Sequence, residues 1–214
     1  MQALNDGATA YITKPLNMDE VLAEVGKILE KQRLVAEKRA VENQVEHINA
    51  VLRAVRRVNQ LIVREKDQSK LIQGVCDSLI ETRGYLSAVI ALRDGAGRVG
   101  QTAAAGLPEH VSALRESFQR DEWPACGRRA IEEGGVVITK VESPECRDCP
   151  LIALWDCDKG MVASLAHAGR VYGVLMVTVS GGHVVEEEVS LFQEVADDIG
   201  LGLHGIEVEG ETRR

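Results

Sequence analysis

The sequence predicts an α+β protein, with one antiparallel sheet flanked by helices and a long helix in front. Three observations carry this. From Asp67 onward the order reads helix, two strands, helices, strand, loop, hairpin, helix. Strands in that order pair most simply as one antiparallel sheet. Two apolar runs, residues 161–167 and 171–179, are joined only by the turn Ala168-Gly169-Arg170. Ahead of them, residues 34–64 repeat apolar positions at heptad spacing with no Gly or Pro, the pattern of a helix with a seam.

The first segment, residues 1–33, is too short to close a core. Gly7 suits the left-handed position after a helix end. Residues 8–13 read as a short strand stopped by Lys14-Pro15. Asn17 or Asp19 then caps a helix with Leu22, Val25, Ile28 and Leu29 on one face. The run Asn5-Asp6-Gly7-Ala8-Thr9-Ala10-Tyr11-Ile12-Thr13-Lys14-Pro15-Leu16 resembles the end of a two-component receiver domain. The resemblance implies that residues 1–33 are a C-terminal receiver fragment. It implies that Lys14 is the phosphoryl-contacting lysine, that the bond to Pro15 is cis, and that Tyr11 is the rotameric switch. The strand carrying the phosphoacceptor Asp and the acidic metal-binding pair are missing. The fragment alone is therefore not expected to accept a phosphoryl group.

The second segment, residues 34–64, reads as a coiled-coil signalling helix. Val45, Leu52 and Asn59 fall at a, with Ile48, Val55 and Ile62 at d, and Lys38 falls at a one heptad earlier. Asn at a single a position favours a parallel dimer in register at some cost in stability. Val51 and Val58 at g and Val63 at e widen the stripe, which suits a helix that also packs on a domain. The expectation is a homodimer through this helix.

The third segment, residues 65–208, is a complete globular unit, followed by a tail at 209–214. Asp67 or Ser69 caps a helix that turns Leu71, Ile72, Val75, Cys76, Leu79 and Ile80 inward. Residues 85–92 and 99–105 are strands around the turn Asp94-Gly95-Ala96-Gly97. Residues 109–118 and 125–133 read as short helices, and 136–139 as a strand. A long loop at 140–159 holds three cysteines. The hairpin and a closing helix at 186–208 complete the unit. The element order and the hairpin pattern Gly169-Arg170-Val171-Tyr172-Gly173-Val174-Leu175 resemble a GAF domain. The resemblance implies a sensory module, a hairpin through the centre of the sheet, and a glycine that admits close packing of a helix. The cyclic-nucleotide signature of that family is absent. None of the cysteines precedes a His, which disfavours a covalently attached bilin.

The chain has five cysteines. Cys146-Arg147-Asp148-Cys149-Pro150 places two thiols at metal-ligand spacing. Cys157, and Cys126 after Trp123-Pro124, complete four candidate ligands for zinc or an iron–sulfur cluster. Reversible thiol chemistry and inert pocket cysteines remain open beside that reading. Trp123 and Trp155 flank the cysteines and are candidates to line a pocket with them. Cys76 sits at an apolar helix position and reads as a small buried hydrophobe.

Composition excludes several functions. Lys+Arg number 25 and Asp+Glu 33, so the net charge is 25 − 33 = −8. With aromatic residues at 3%, neither a phosphate-backbone binder nor a base-stacking platform is expected. No apolar run is long enough to span a membrane, and no signal peptide is visible, so a cytoplasmic location is expected. No nucleophile–base arrangement or phosphate loop appears. The reading is a non-enzymatic sensory module. It detects a small ligand, a metal or cluster, or a redox state, and relays it through dimeric helices to a histidine kinase or other output domain. The alternative is a thiol-dependent reductase of the methionine sulfoxide type using Cys146 and Cys149.

Overall fold

The computed structural model describes residues 17–83, 85–106, 123–140, 142–147, 149, 159–179, 184 and 186–212. The chain divides into two compact units, Met1–Asn49 and Ala50–Arg214. In chain order the elements are α1 (Met18–Arg64), α2 (Gln68–Arg83), β1 (Ser87–Arg93), β2 (Val99–Ala105), α3 (Ala125–Glu133), β3 (Val136–Lys140), α4 (Pro144–Arg147), β4 (Lys159–His167), β5 (Arg170–Val179) and α5 (Glu186–Thr212).

Within Met1–Asn49 the described residues are helical from Met18. Asn17 supplies the cap: its side-chain oxygen accepts the Asp19 N–H at 3.0 Å, one of the donors a helix start leaves unpaired. Leu22, Leu29, Leu34, Val41 and Val45 are all exposed on this helix. The expected receiver strand and its residues Tyr11, Lys14 and Pro15 lie outside the described residues, as does the expected helix at 109–118.

Within Ala50–Arg214 five antiparallel strands form one sheet in the order β2-β1-β5-β4-β3. The central strands β1 and β5 are apolar almost throughout, because both of their faces are covered. Side chains alternate between two clusters, as the period-two geometry of a strand requires. Ala88, Ile90, Leu92, Met161, Ala163, Leu165, Leu175 and Val177 point to one face. There they meet Leu71, Ile72, Val75 and Leu79 of α2, Phe192, Val195 and Ile199 of α5, and Val58 of α1. Val89, Ala91, Val162, Val174 and Met176 point to the other face, against Cys126 and Ala130 of α3. The hydroxyls of Ser87 and Thr178 are buried but satisfy each other at 2.8 Å.

Asp67, rather than Ser69, caps α2, accepting the Lys70 N–H at 3.0 Å. The turn between β4 and β5 places Ala168 and Gly169 at φ 50° and 78°, the left-handed pair of a tight hairpin. The close helix approach expected of a hairpin glycine is made by Gly200 of α5. A Cβ on Gly200 would stand 2.5 Å from the Ala166 carbonyl oxygen, so α5 lies directly on the backbone of β4. Gly173 presses instead on β1, where a Cβ would meet the Ala91 carbonyl oxygen at 2.1 Å. Among the described residues, no helix is long and apolar enough to cross a membrane.

Candidate functional site

The second face of the sheet is covered by short pieces of chain. The helix α3 starts directly after Trp123-Pro124. The Pro124 carbonyl accepts the Arg128 N–H at 3.0 Å, and the Arg128 guanidinium donates to the Trp123 carbonyl. This first turn points Cys126 inward, one turn before Ala130, and both are buried. Downstream, Cys146 lies on α4, its N–H donated to the Ser143 carbonyl at 3.0 Å. Its own carbonyl accepts the Cys149 N–H at 3.0 Å. That turn leaves Cys146 buried and Cys149 half-buried, with Cys149 and Trp123 packed against the cluster that holds Cys126.

The structure thus brings Cys126 and Cys149 together with Cys146 nearby, all as thiols. Burial pushes the Cys126 thiol up to about 12, and the neighbouring Cys149 and then Cys146 add to the shift. Trp155 and Cys157 lie outside the described residues. Among the described residues, no three His, Cys, Asp or Glu side chains are grouped so as to hold a metal ion.

Cys76 takes the expected structural role. It is fully buried in the cluster between α2 and the sheet, and burial raises its thiol well above the usual range. Both Cys76 and Cys126 hold their protons more tightly in the folded chain than in the unfolded one. Their contribution to stability is therefore complete below about pH 8.5 and is lost as the pH rises through the folded values. Urea midpoints are expected to fall between pH 8.5 and 11, as the unfolding free energy drops by at most about 1.4 kcal/mol per pH unit for each thiol. Cys76→Ala and Cys126→Ala should each flatten that slope. A midpoint that stays constant to pH 11 would contradict the burial of both thiols.

A polar cluster at the other end of the sheet escaped the sequence reading. The Tyr172 hydroxyl is 2.8 Å from His204 Nδ1 and donates to Glu207 Oε2 at 3.2 Å. Arg170 pairs with Glu207 at 2.7 Å and lies 5.2 Å over the Tyr172 ring. The His167 ring is 5.0 Å from that of His204. Burial, and then Glu207, raise the Tyr172 phenol above its ordinary value. The one sequence signal is that His204 and Glu207 share an α5 face at i, i+3 spacing. Nothing in the sequence pairs that face with the start of β5.

The five-stranded order, the helices on one face and the short elements on the other define a GAF-type sensory fold. The family model for the GAF domain matches residues 65–204, and the chain belongs to that family. No curated protein matches the chain. Among solved structures, it is similar to the GAF domain of a phosphoenolpyruvate-protein phosphotransferase from Coxiella burnetii. That match has a TM-score of 0.61 at 15% identity and covers 77% of this chain and 98% of that one. It is similar to free methionine-R-sulfoxide reductase from Neisseria meningitidis, with a TM-score of 0.57 at 15% identity, covering 74% and 91%. It is also similar to a domain ascribed to a two-component sensor histidine kinase of Sinorhizobium meliloti. There the TM-score is 0.53 at 19% identity, covering 68% and 96%. At these identities the shared property is the fold.

Proposed function

We propose that this chain is a cytoplasmic sensory module of the two-component type. Its input is taken on the cysteine-bearing face of the sheet. Its output leaves through α1 and α5 to a histidine kinase or another signalling domain. The observation that carries the reading is the division of labour across the sheet. Alternate residues of β4 and β5 pack against the Cys126 cluster on one side. The intervening residues pack against α5 and Val58 of α1 on the other. A change at the first cluster therefore has only one layer of strand to cross before it reaches the helices. Membership of the GAF family, a class of sensory modules, supports the same reading.

The proposed organisation is a receiver fragment at 1–33, a dimeric helix at 34–64, the GAF domain at 65–208 and a tail at 209–214. A reductase using Cys146 and Cys149 is the weaker reading. Cys146 is buried, and the likeness to the Neisseria reductase is at the level of fold.

The test is hydrogen exchange on the full chain before and after alkylation of the half-buried Cys149. Protection around Val58 and along residues 195–203 should change by about threefold or more. Unchanged protection on that far side, with alkylation complete, would overturn the relay.

A further inference from the structure

The relay leaves the chemistry of its input unassigned, and among the described residues the second face of the sheet carries a group of nucleophilic side chains. Cys126 is buried in the apolar cluster between α3 and the sheet, and Cys149 packs against that same cluster while remaining half-buried. Cys146, although near, is outside the cluster. The two thiols differ in access, which gives them an order of reaction. An oxidant from solvent meets Cys149 first, and Cys126 is shielded until a partner forms beside it.

We propose that Cys126 and Cys149 form a reversible disulfide in response to peroxide, and that this bond is the input of the module. The proposal rests on the sensory reading above and gives it a chemistry. In the first step the Cys149 thiolate attacks the O–O bond of the peroxide. A sulfur–oxygen bond forms, the O–O bond breaks, and the leaving oxygen departs as an alcohol or water after taking a proton. Cys149 is then a sulfenic acid. In the second step the Cys126 sulfur attacks that sulfur. The S–S bond forms, the S–O bond breaks, and the departing hydroxide takes the Cys126 proton to become water. The peroxide gains two electrons and the two thiols together lose two. A dithiol reductant restores the starting state by exchange.

The order of steps agrees with the electrostatics. The thiol pushed up to about 12 by burial is Cys126, so at neutral pH it is protonated and is a poor first nucleophile. The bond would also act on the right element. It ties the first turn of α3 to the segment after α4 and encloses β3, whose partner is β4. In turn β4 carries Ala166, the backbone on which Gly200 of α5 rests. A staple around β3 thus bears on the strand that seats the output helix.

The test uses the full chain, purified without oxygen, treated with stoichiometric hydrogen peroxide and digested without reduction. The expected result is a linked pair of peptides carrying Cys126 and Cys149, and a loss of about two thiols per chain. Cys146→Ser should still form the link. Cys126→Ala should stop at a sulfenic acid on Cys149 that dimedone captures. If that variant does not fold, the linked peptides of the wild type still decide the matter. A link between Cys146 and Cys149, a link to Cys157, or no link at all would overturn the proposal. So would a full equivalent of zinc or iron on the anaerobic protein. Should the link fail while alkylation of Cys149 still alters protection in α5, the disulfide falls and the sensory relay stands. Should both fail, both readings fall.

Discussion

Gly173→Ala is expected to remove most of the stability of the sheet-bearing unit, lowering its melting temperature by roughly 10 °C or more. The added Cβ would sit 2.1 Å from the Ala91 carbonyl oxygen and 2.8 Å from the Leu92 Cα. Both atoms are backbone, so no rotamer change relieves the overlap. The strand cannot back away either, because β1 is hydrogen-bonded to β2 on one side and to β5 on the other. Relief requires breaking part of the central ladder, which unpairs buried amides at about 1–3 kcal/mol each. Against a typical total of about 5–15 kcal/mol, that is a large share. The control is Gly205→Ala in α5, where a Cβ meets nothing within 4 Å. Helix propensity alone then favours Ala, by about 0.5–1 kcal/mol. Thermal unfolding followed by circular dichroism compares the two variants. A Gly173→Ala chain melting within about 3 °C of wild type would show that the strands are not in this contact.

What the sequence made legible follows from short-range physics. The elements β2, α3 and the hairpin of β4 and β5 lie where alternation, Gly turns and apolar runs put them. Each is specified by its own residues. The helix start at Asn17 is readable because a cap acts within three residues. The site is a different matter. Cys126 and Cys149 stand far apart in sequence and become neighbours only because α3 and the segment after α4 cover the same face of the sheet. Cys146 and Cys149 look like one unit in the sequence because only two residues separate them. In the fold they share one turn, and Cys149 also packs against the cluster that holds Cys126. The Tyr172 network is invisible for the same reason: the start of β5 and the far end of α5 meet through tertiary packing. That a hairpin glycine makes a close contact was legible, but only the sheet order says that it is Gly173 and that the contact is β1.

Leu52→Asp is expected to abolish the proposed dimer through residues 34–64 while leaving the GAF domain folded. The sequence puts Leu52 and Asn59 at a and Val55 and Ile62 at d, one seam of equivalent positions. The structure separates them. Val55 and Ile62 pack against the core of the domain, and Val58 between them is 0% exposed. A Cβ on Gly202 of α5 would touch Ile62 at 2.8 Å, so this side of α1 is already occupied. Leu52 is 52% exposed and Val63 75%. The side chains of Ile48 and Val51 lie outside the described residues. Within Ala50–Arg214, among the described side chains, the stripe positions left for a second copy are therefore Leu52 and Val63, with Asn59 between them. In the sequence, Leu52 continues the heptad spacing of Leu34, Val41 and Val45. Beyond it the seam must step from d to e, because the domain holds the d positions. Such a four-residue step locally unwinds a coiled coil. The two kinds of position then predict opposite outcomes. Leu52→Asp puts a carboxylate in the seam and should shift the dimer to monomer, with melting of the domain moved by no more than about 2 °C. Ile62→Asp buries an unpaired charge against α5 and should unfold the domain at a cost of several kcal/mol, roughly 3–5. Sedimentation equilibrium read beside thermal unfolding distinguishes them. A wild-type chain that is monomeric at 100 μM, or an Ile62→Asp chain that stays folded and merely dissociates, would return the d positions to the seam and sink this assignment of the two faces.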